Sequence, residues 1–233
     1  MITQAKKLKI ISRSSEPFED RQEAGKSLVE FLRPWATPQT VVLGIPRGGL
    51  VIAQEIAKAL NCPLDVILAH KLGAPGNPEL AIGAVAENGK TFLNPSVARQ
   101  VGADPEYIDE EVKLQLDEIR QERDEFRRFR PKLNLKNKIA IVCDDGVATG
   151  ATLQASLWSA RQEEPKILVA ALPVGPEKSL EKLSQTADEV VCLKVPRYLT
   201  SVGRYYLHFE QVTDEEVKEI LRSTSKNGGK VEG

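Results

Sequence analysis

The segment IAIVCDDGVATGAT, residues 139–152, carries the densest chemistry in the chain. An apolar run ends in two acids, Asp144 and Asp145, and passes at once into Gly146, Val147, Ala148, Thr149, Gly150, Ala151 and Thr152. Backbone N–H groups at a helix start bind anions, and small residues let the main chain close round a phosphate. Thr149 and Thr152 add hydroxyl donors. Two carboxylates would repel a phosphate placed directly on them, so they are read as facing sugar hydroxyls or a divalent cation. A tight turn with an Asp cap explains one acid and one glycine, not the whole string. The combination describes a site for a phosphorylated sugar.

A second string, Pro46-Arg47-Gly48-Gly49, follows the apolar run TVVLGI. Its glycines permit unusual backbone angles and close approach to a ligand, and Arg47 supplies a permanent cation. Alone, such a string is a turn more often than a site. His70-Lys71 stands at the end of the next apolar run. Lys71 is a candidate cation, with an ordinary solvated lysine an equal reading, and His70 reads as structural. Cys62, Cys143 and Cys192 form no CxxC pair, and with His70 and His208 they give no common zinc spacing. They read as small buried thiols.

These strings need elements to hold them. Asp20 caps a helix with Ala24, Leu28, Phe31 and Leu32 on one face. The strand TVVLGI, a helix ending at Asn61 and the strand PLDVILA then make a βαβ unit. KLGAPGNPEL, rich in Gly and Pro, is not expected to be regular throughout, and AIGAVAENGKTFLN is expected to form two short strands about Asn88-Gly89. A long helix from Pro105 to Phe129 follows, with a densely charged outer face. KIAIVC, KILVAALPV and EVVCLKV are buried strands separated by helices, and DEEVKEILRS is a terminal helix. The first dozen residues show no strong pattern. The expected fold is α/β, doubly wound on a mostly parallel sheet.

The acid-pair segment resembles the PRPP-binding motif of the type I phosphoribosyltransferases, where PRPP is 5-phosphoribosyl 1-pyrophosphate. VVLGIPRGGLVIAQEIAKAL resembles that family's pyrophosphate-binding strand, loop and helix. The likeness spans nearly the whole chain and is greatest to bacterial stand-alone members whose base is unassigned, through KLGAPGNPELAIGAVAENG and VGRYYLHFEQVTDEEV. It implies that Asp144 and Asp145 hold the ribose hydroxyls, that residues 146–152 wrap the 5′-phosphate, and that Arg47, Gly48, Gly49 and Lys71 meet the pyrophosphate. It implies catalytic roles for Asp144, Asp145, Lys71 and Arg47, with Mg²⁺ bound through PRPP and the two acids as indirect ligands. It also implies a mobile loop over residues 72–89 and a base-covering hood over 196–212, where Tyr198 and Tyr205 are stacking candidates beside Tyr206 and Phe209. The third residue after the acids is Ala148, where hypoxanthine and guanine enzymes of the family carry an aspartate.

Composition is consistent with this and excludes other classes. Lys and Arg number 32 against 33 Asp and Glu, which removes the electrostatic argument for a nucleic-acid or membrane-surface binder. An apolar fraction of 41% suits a globule with a real core. The expectation is one domain over residues 1–222 and a disordered tail over 223–233, in a cytoplasmic protein without a membrane span. No GxxxxGK[ST] or GxGxxG string supports a P-loop or a dinucleotide fold. The expected activity is transfer of the phosphoribosyl group of PRPP to a nitrogenous base with release of pyrophosphate, as in nucleotide salvage. The alternative is a non-catalytic PRPP or nucleotide sensor on the same fold. A homodimer is the assembly kept open.

Overall fold

The computed structural model describes residues 8–225. In chain order the strands are β1 (Leu8–Ser12), β2 (Thr40–Gly44), β3 (Leu64–Val66), β4 (Ala69–Ala74), β5 (Asn77–Ala86), β6 (Thr91–Leu93), β7 (Ile139–Cys143), β8 (Ile167–Val174) and β9 (Glu189–Lys194). The helices are α1 (Arg21–Leu32), α2 (Gly48–Leu60), α3 (Pro95–Gln100), α4 (Pro105–Phe126), α5 (Ala151–Arg161), α6 (Glu177–Leu183) and α7 (Asp214–Ser225). Six strands pair in parallel in the order β1-β9-β8-β7-β2-β3, and β4-β5-β6 form a separate antiparallel sheet.

The central strands β2 and β7 are buried throughout, which is why they read as continuous apolar runs rather than alternating ones. Alternation persists in which face each residue packs. Val42 and Ile141 join a core with Leu28 of α1, Ile56 of α2, Ile119 of α4 and Val217 of α7. Val41, Leu43, Ala140 and Val142 join the other, with Leu153 and Leu157 of α5 and Leu180 of α6. Helices on both faces make the doubly wound arrangement that the βαβ pattern predicted.

Two strand regions depart from expectation. The N-terminal LKIIS forms β1, an edge strand on β9; being partly buried on a sheet edge, it carries no full apolar signature. PLDVILA is not one strand: β3 ends at Val66 and the chain crosses to the second sheet before Ala69. KLGAPGNPEL is broken as expected, by the Pro75-Gly76 turn, where Gly76 takes φ +69° as a proline-led turn requires, and by register shifts on both sides of Gly73, but β4 and β5 run into it from either side. The expected turn at Asn88-Gly89 is present, with Gly89 N–H donating to the Ala86 carbonyl at 2.8 Å.

The small sheet lies between α4 and α5. Phe92 of β6 packs on Trp158 of α5 with centroids 4.4 Å apart, and Tyr107 of α4 donates its hydroxyl to the Gly73 carbonyl at 3.0 Å. The last helix runs to Ser225, three residues into the range expected as tail, and the remainder of that range lies outside the described residues. Among the described residues, no helix is long and apolar enough to cross a membrane.

Candidate functional site

Parallel pairing of β2 with β7 aligns Gly44 with Cys143, so the chain after each strand leaves the sheet at the same edge. Ile45 N–H reaches the Cys143 carbonyl at 3.0 Å and holds the two exits together. The Pro46–Arg47 peptide is cis. At Gly48 a methyl group would lie 2.0 Å from Asp145 Oδ2, and at Gly49 one would lie 2.6 Å from the Cys143 carbonyl oxygen and 3.3 Å from Asp144 Oδ1. Only glycine lets the first loop come down onto the acid pair.

Each acid has one oxygen engaged. Asp144 Oδ1 accepts from the Asp145 amide at 2.9 Å, and Asp145 Oδ2 accepts from Arg21 Nε at 2.7 Å. Among the described residues, the second oxygen of each has no hydrogen-bond donor. Burial, then the neighbouring Asp145 charge, pushes Asp144 well above the ordinary carboxylate range. Burial also raises Asp145, against the hydrogen bond and charge of Arg21. Two close carboxylates with a free oxygen apiece call for donors or a cation.

Arg21, the first residue of α1, is the contact that the sequence did not disclose. Its guanidinium lies 3.8 Å over the Phe209 ring and donates from Nη1 to the Glu210 carbonyl at 2.8 Å. Phe209 stacks on Tyr206 at 4.8 Å, and the Tyr206 hydroxyl donates to the Asp145 carbonyl oxygen. The hood segment is thereby tied to the acid pair. Nothing distinguishes Arg21 from other arginines along the chain; its position after the Asp20 cap at the edge of the sheet makes the contact.

The loop after the acids turns through Gly146 at φ +153° and Gly150 at φ +77°, where α5 begins. Val147 is buried and its amide donates to Val174 at 3.0 Å, so it leaves the set of anion donors expected from residues 146–152. Ala151 N–H approaches Thr149 Oγ1 at 3.3 Å. Among the described residues, the amides of Ala148, Thr149, Gly150 and Thr152 have no backbone acceptor. Ser179 of α6 donates to the Ala148 carbonyl at 2.9 Å and braces the loop from behind.

The remaining candidates divide. Arg47 Nε donates to Asp214 Oδ1 of α7. Lys71 is engaged by Glu79 at 2.8 Å, within its own sheet, and makes no bond to the acids or to the Gly48 loop. Tyr198 is 75% exposed, whereas Tyr205 is 6% exposed, with its hydroxyl donating to the Tyr198 carbonyl at 2.8 Å. Tyr205 therefore packs the hood onto the core and offers no stacking face, and Tyr206 is likewise buried. The thiols of Cys143 and Cys192 are buried and pushed up, Cys192 to about 12, as inert core cysteines.

Fold and site define an α/β protein whose strand ends carry an acid pair, an amide-lined loop and a glycine loop in mutual contact. Residues 24–206 match the model of the phosphoribosyl transferase domain, and the chain belongs to that family, the type I phosphoribosyltransferases. A Mycobacterium tuberculosis protein bearing a provisional phosphoribosyl transferase name is 42% identical over 204 residues, which is 88% of this chain and 46% of that protein. The chain thus spans about half the length of the curated relatives it matches. A Thermus thermophilus protein of known crystal structure is 46% identical, with a TM-score of 0.83 over 89% of this chain and 98% of its own.

Proposed function

We propose that the chain is an enzyme that transfers the 5-phosphoribosyl group of PRPP to a nitrogenous base and releases pyrophosphate. The observation that carries this reading is the seating of Gly48 and Gly49 directly on Asp144 and Asp145, with the amide loop of residues 146–152 beside them. One ligand then meets three kinds of group. The unengaged oxygens of Asp144 and Asp145 accept from the ribose hydroxyls. The amides of Ala148, Thr149, Gly150 and Thr152, with the threonine hydroxyls, take the 5′-phosphate. Arg47 and the amides about Gly48 and Gly49 take the pyrophosphate.

The reaction needs no protein nucleophile. The bond from ribose C1 to pyrophosphate oxygen breaks with its electron pair leaving on oxygen, a nitrogen lone pair of the base forms the new bond to C1, and that nitrogen gives up its proton. Positive charge grows on the ribose beside the acids while negative charge grows on pyrophosphate beside Arg47. Fixed groups aimed at developing charge are often the largest catalytic contribution. Lys71 joins that cluster once it leaves Glu79. The partnerless oxygens of two partly buried, mutually repelling carboxylates fit a divalent cation shared with the ligand. Mg²⁺ held there would neutralise pyrophosphate charge.

Calorimetry with PRPP and Mg²⁺, followed by a pyrophosphate-release assay on a panel of purines, pyrimidines and related heterocycles, tests the proposal. Binding and release with at least one base are expected; binding with no turnover of any base supports the sensor alternative instead. A 5′-phosphate located elsewhere in a soaked crystal, with residues 148–152 empty, overturns the site. Asp145→Asn is expected to reduce Mg²⁺-dependent turnover far more than thermal stability, and an equal loss of both identifies a structural role.

A further inference from the structure

Arg47 reaches out of its loop to a helix far along the chain, Asp214 of α7. Asp214 is rigidly delivered. Thr213 N–H donates to Glu216 Oε2 at 2.7 Å, and Glu216 N–H returns a bond to Thr213 Oγ1 at 3.3 Å, a reciprocal cap that fixes the first turn of α7. The helix is then seated by buried Val217, Ile220 and Leu221, by Lys218 on Glu125 of α4 at 2.8 Å, and by Arg222 over Phe129 at 4.3 Å. None of these anchors needs Asp214.

The form of the Arg47 contact is informative. Asp214 takes the Nε edge alone. A carboxylate competing for the guanidinium as an anion would use the fork and occupy two donors. Gripped at Nε, the flat group loses its rotational freedom but keeps its two Nη groups, which have no hydrogen-bond acceptor among the described residues; Glu122 and Glu125 act on the guanidinium through charge alone. Both side chains are about half exposed, 48% and 40%, where an ion pair adds little to stability. The pair therefore has small structural value and a clear geometric effect.

We propose that Asp214 is a positioning residue of the pyrophosphate subsite, holding Arg47 by Nε so that its Nη groups serve the anion. The inference rests on the phosphoribosyl-transfer reading and deepens it: the C-terminal helix, outside both sequence motifs, completes the pyrophosphate site.

The test compares two anions that share no subsite. Mg²⁺-pyrophosphate and ribose 5-phosphate are titrated calorimetrically into the full chain and into Asp214→Ala and Asp214→Asn, with thermal melting to establish that each is folded. Asp214→Ala is expected to weaken pyrophosphate about ten-fold, the scale of a lost preorganising contact, and to leave ribose 5-phosphate unchanged. Asp214→Asn, which keeps the Oδ1 acceptor, is expected to recover most of that affinity. Absence of pyrophosphate binding in the unaltered protein overturns the phosphoribosyl-transfer reading and this inference with it. Pyrophosphate binding that Asp214→Ala leaves unchanged or makes tighter, or an equal loss for both ligands, overturns this inference alone.

Discussion

Ala148 shows how much specificity one side chain can withhold. It is exposed, third after the acid pair, and its carbonyl is braced by Ser179. A methyl group neither gives nor takes a proton, and positioned general acid/base assistance contributes about 10²–10⁴-fold. Hypoxanthine, guanine and xanthine are therefore expected to be poor acceptors for the unaltered protein. Ala148→Asp is expected to raise kcat/KM for hypoxanthine or guanine by about 10²-fold, the low end of that range. Efficient turnover of either base by the unaltered protein, with no gain on substitution, contradicts this. The same position lies on a surface loop, so the substitution is expected to leave the melting temperature nearly unchanged.

At the scale of elements, the small antiparallel sheet has two halves of different character. Asn77–Leu80 is exposed, whereas Ile82, Ala84 and Val85 are buried. Glu79 sits in the exposed half and holds Lys71. Closure of this half over PRPP would free Lys71 for the pyrophosphate and keep water from the reacting carbon. Hydrogen exchange is expected to be fast at residues 76–80 in the free protein, slow at 82–85, and slowed at 76–80 by PRPP with Mg²⁺. High protection at 76–80 that ligand does not alter removes the lid.

Strand β4 of that sheet bears His70, which faces α4. Nδ1 lies 2.9 Å from Gln115 Oε1 and 3.4 Å from Glu118, and Nε2 lies 3.2 Å from Glu122. Burial opposes the imidazolium, but the bond and charge of Glu122, with Gln115 and Glu118, outweigh it and raise the pKa above the ordinary 6.5. A group whose folded pKa is raised stabilises fully below its unfolded value and loses that contribution as pH rises through the folded value. His70→Gln is thus expected to lower the melting temperature more at pH 5.5–6, below the ordinary histidine value, than at pH 9, well above it. A difference that does not vary with pH rules out this charge contribution.

For the molecule as a whole, a buried charge cluster joins the two sheets. Arg127, just past α4, bonds Asp65 of β3 at 2.6 Å and Glu87 at the end of β5 at 2.9 Å, and Lys132 bonds Glu87 at 3.0 Å. Asp65 and Glu87 side chains are 1% and 6% exposed; without Arg127, Glu87 would keep Lys132 but Asp65 would be left buried with no cation. Breaking a buried pair from one side costs about 3–5 kcal/mol. Arg127→Met is expected to lower unfolding free energy by about that amount in urea titration. Loss below about 1 kcal/mol would place the cluster in effective contact with solvent.

Much of this was legible along the chain because local signals and final environment agree. The buried strands β2, β7 and β8 are runs of branched apolar residues, and the string after Cys143 could be read as a sugar-phosphate site because its acids, small residues and threonines are contiguous. Those features depend on neighbours in sequence. β1 was not legible, since an edge strand buries too little to demand an apolar run, and the Gly and Pro that marked KLGAPGNPEL as broken did not show that paired strands flank its Pro75-Gly76 turn. Tyr205 carried the right chemistry for stacking, but burial is a property of packing and places its ring in the core. Arg21 on Asp145 and Asp214 on Arg47 join residues 124 and 167 positions apart. No local pattern encodes such pairs. The order of strands in the parallel sheet, which sets β2 beside β7 and packs α1 and α7 on the same face with α2 between them, decides them.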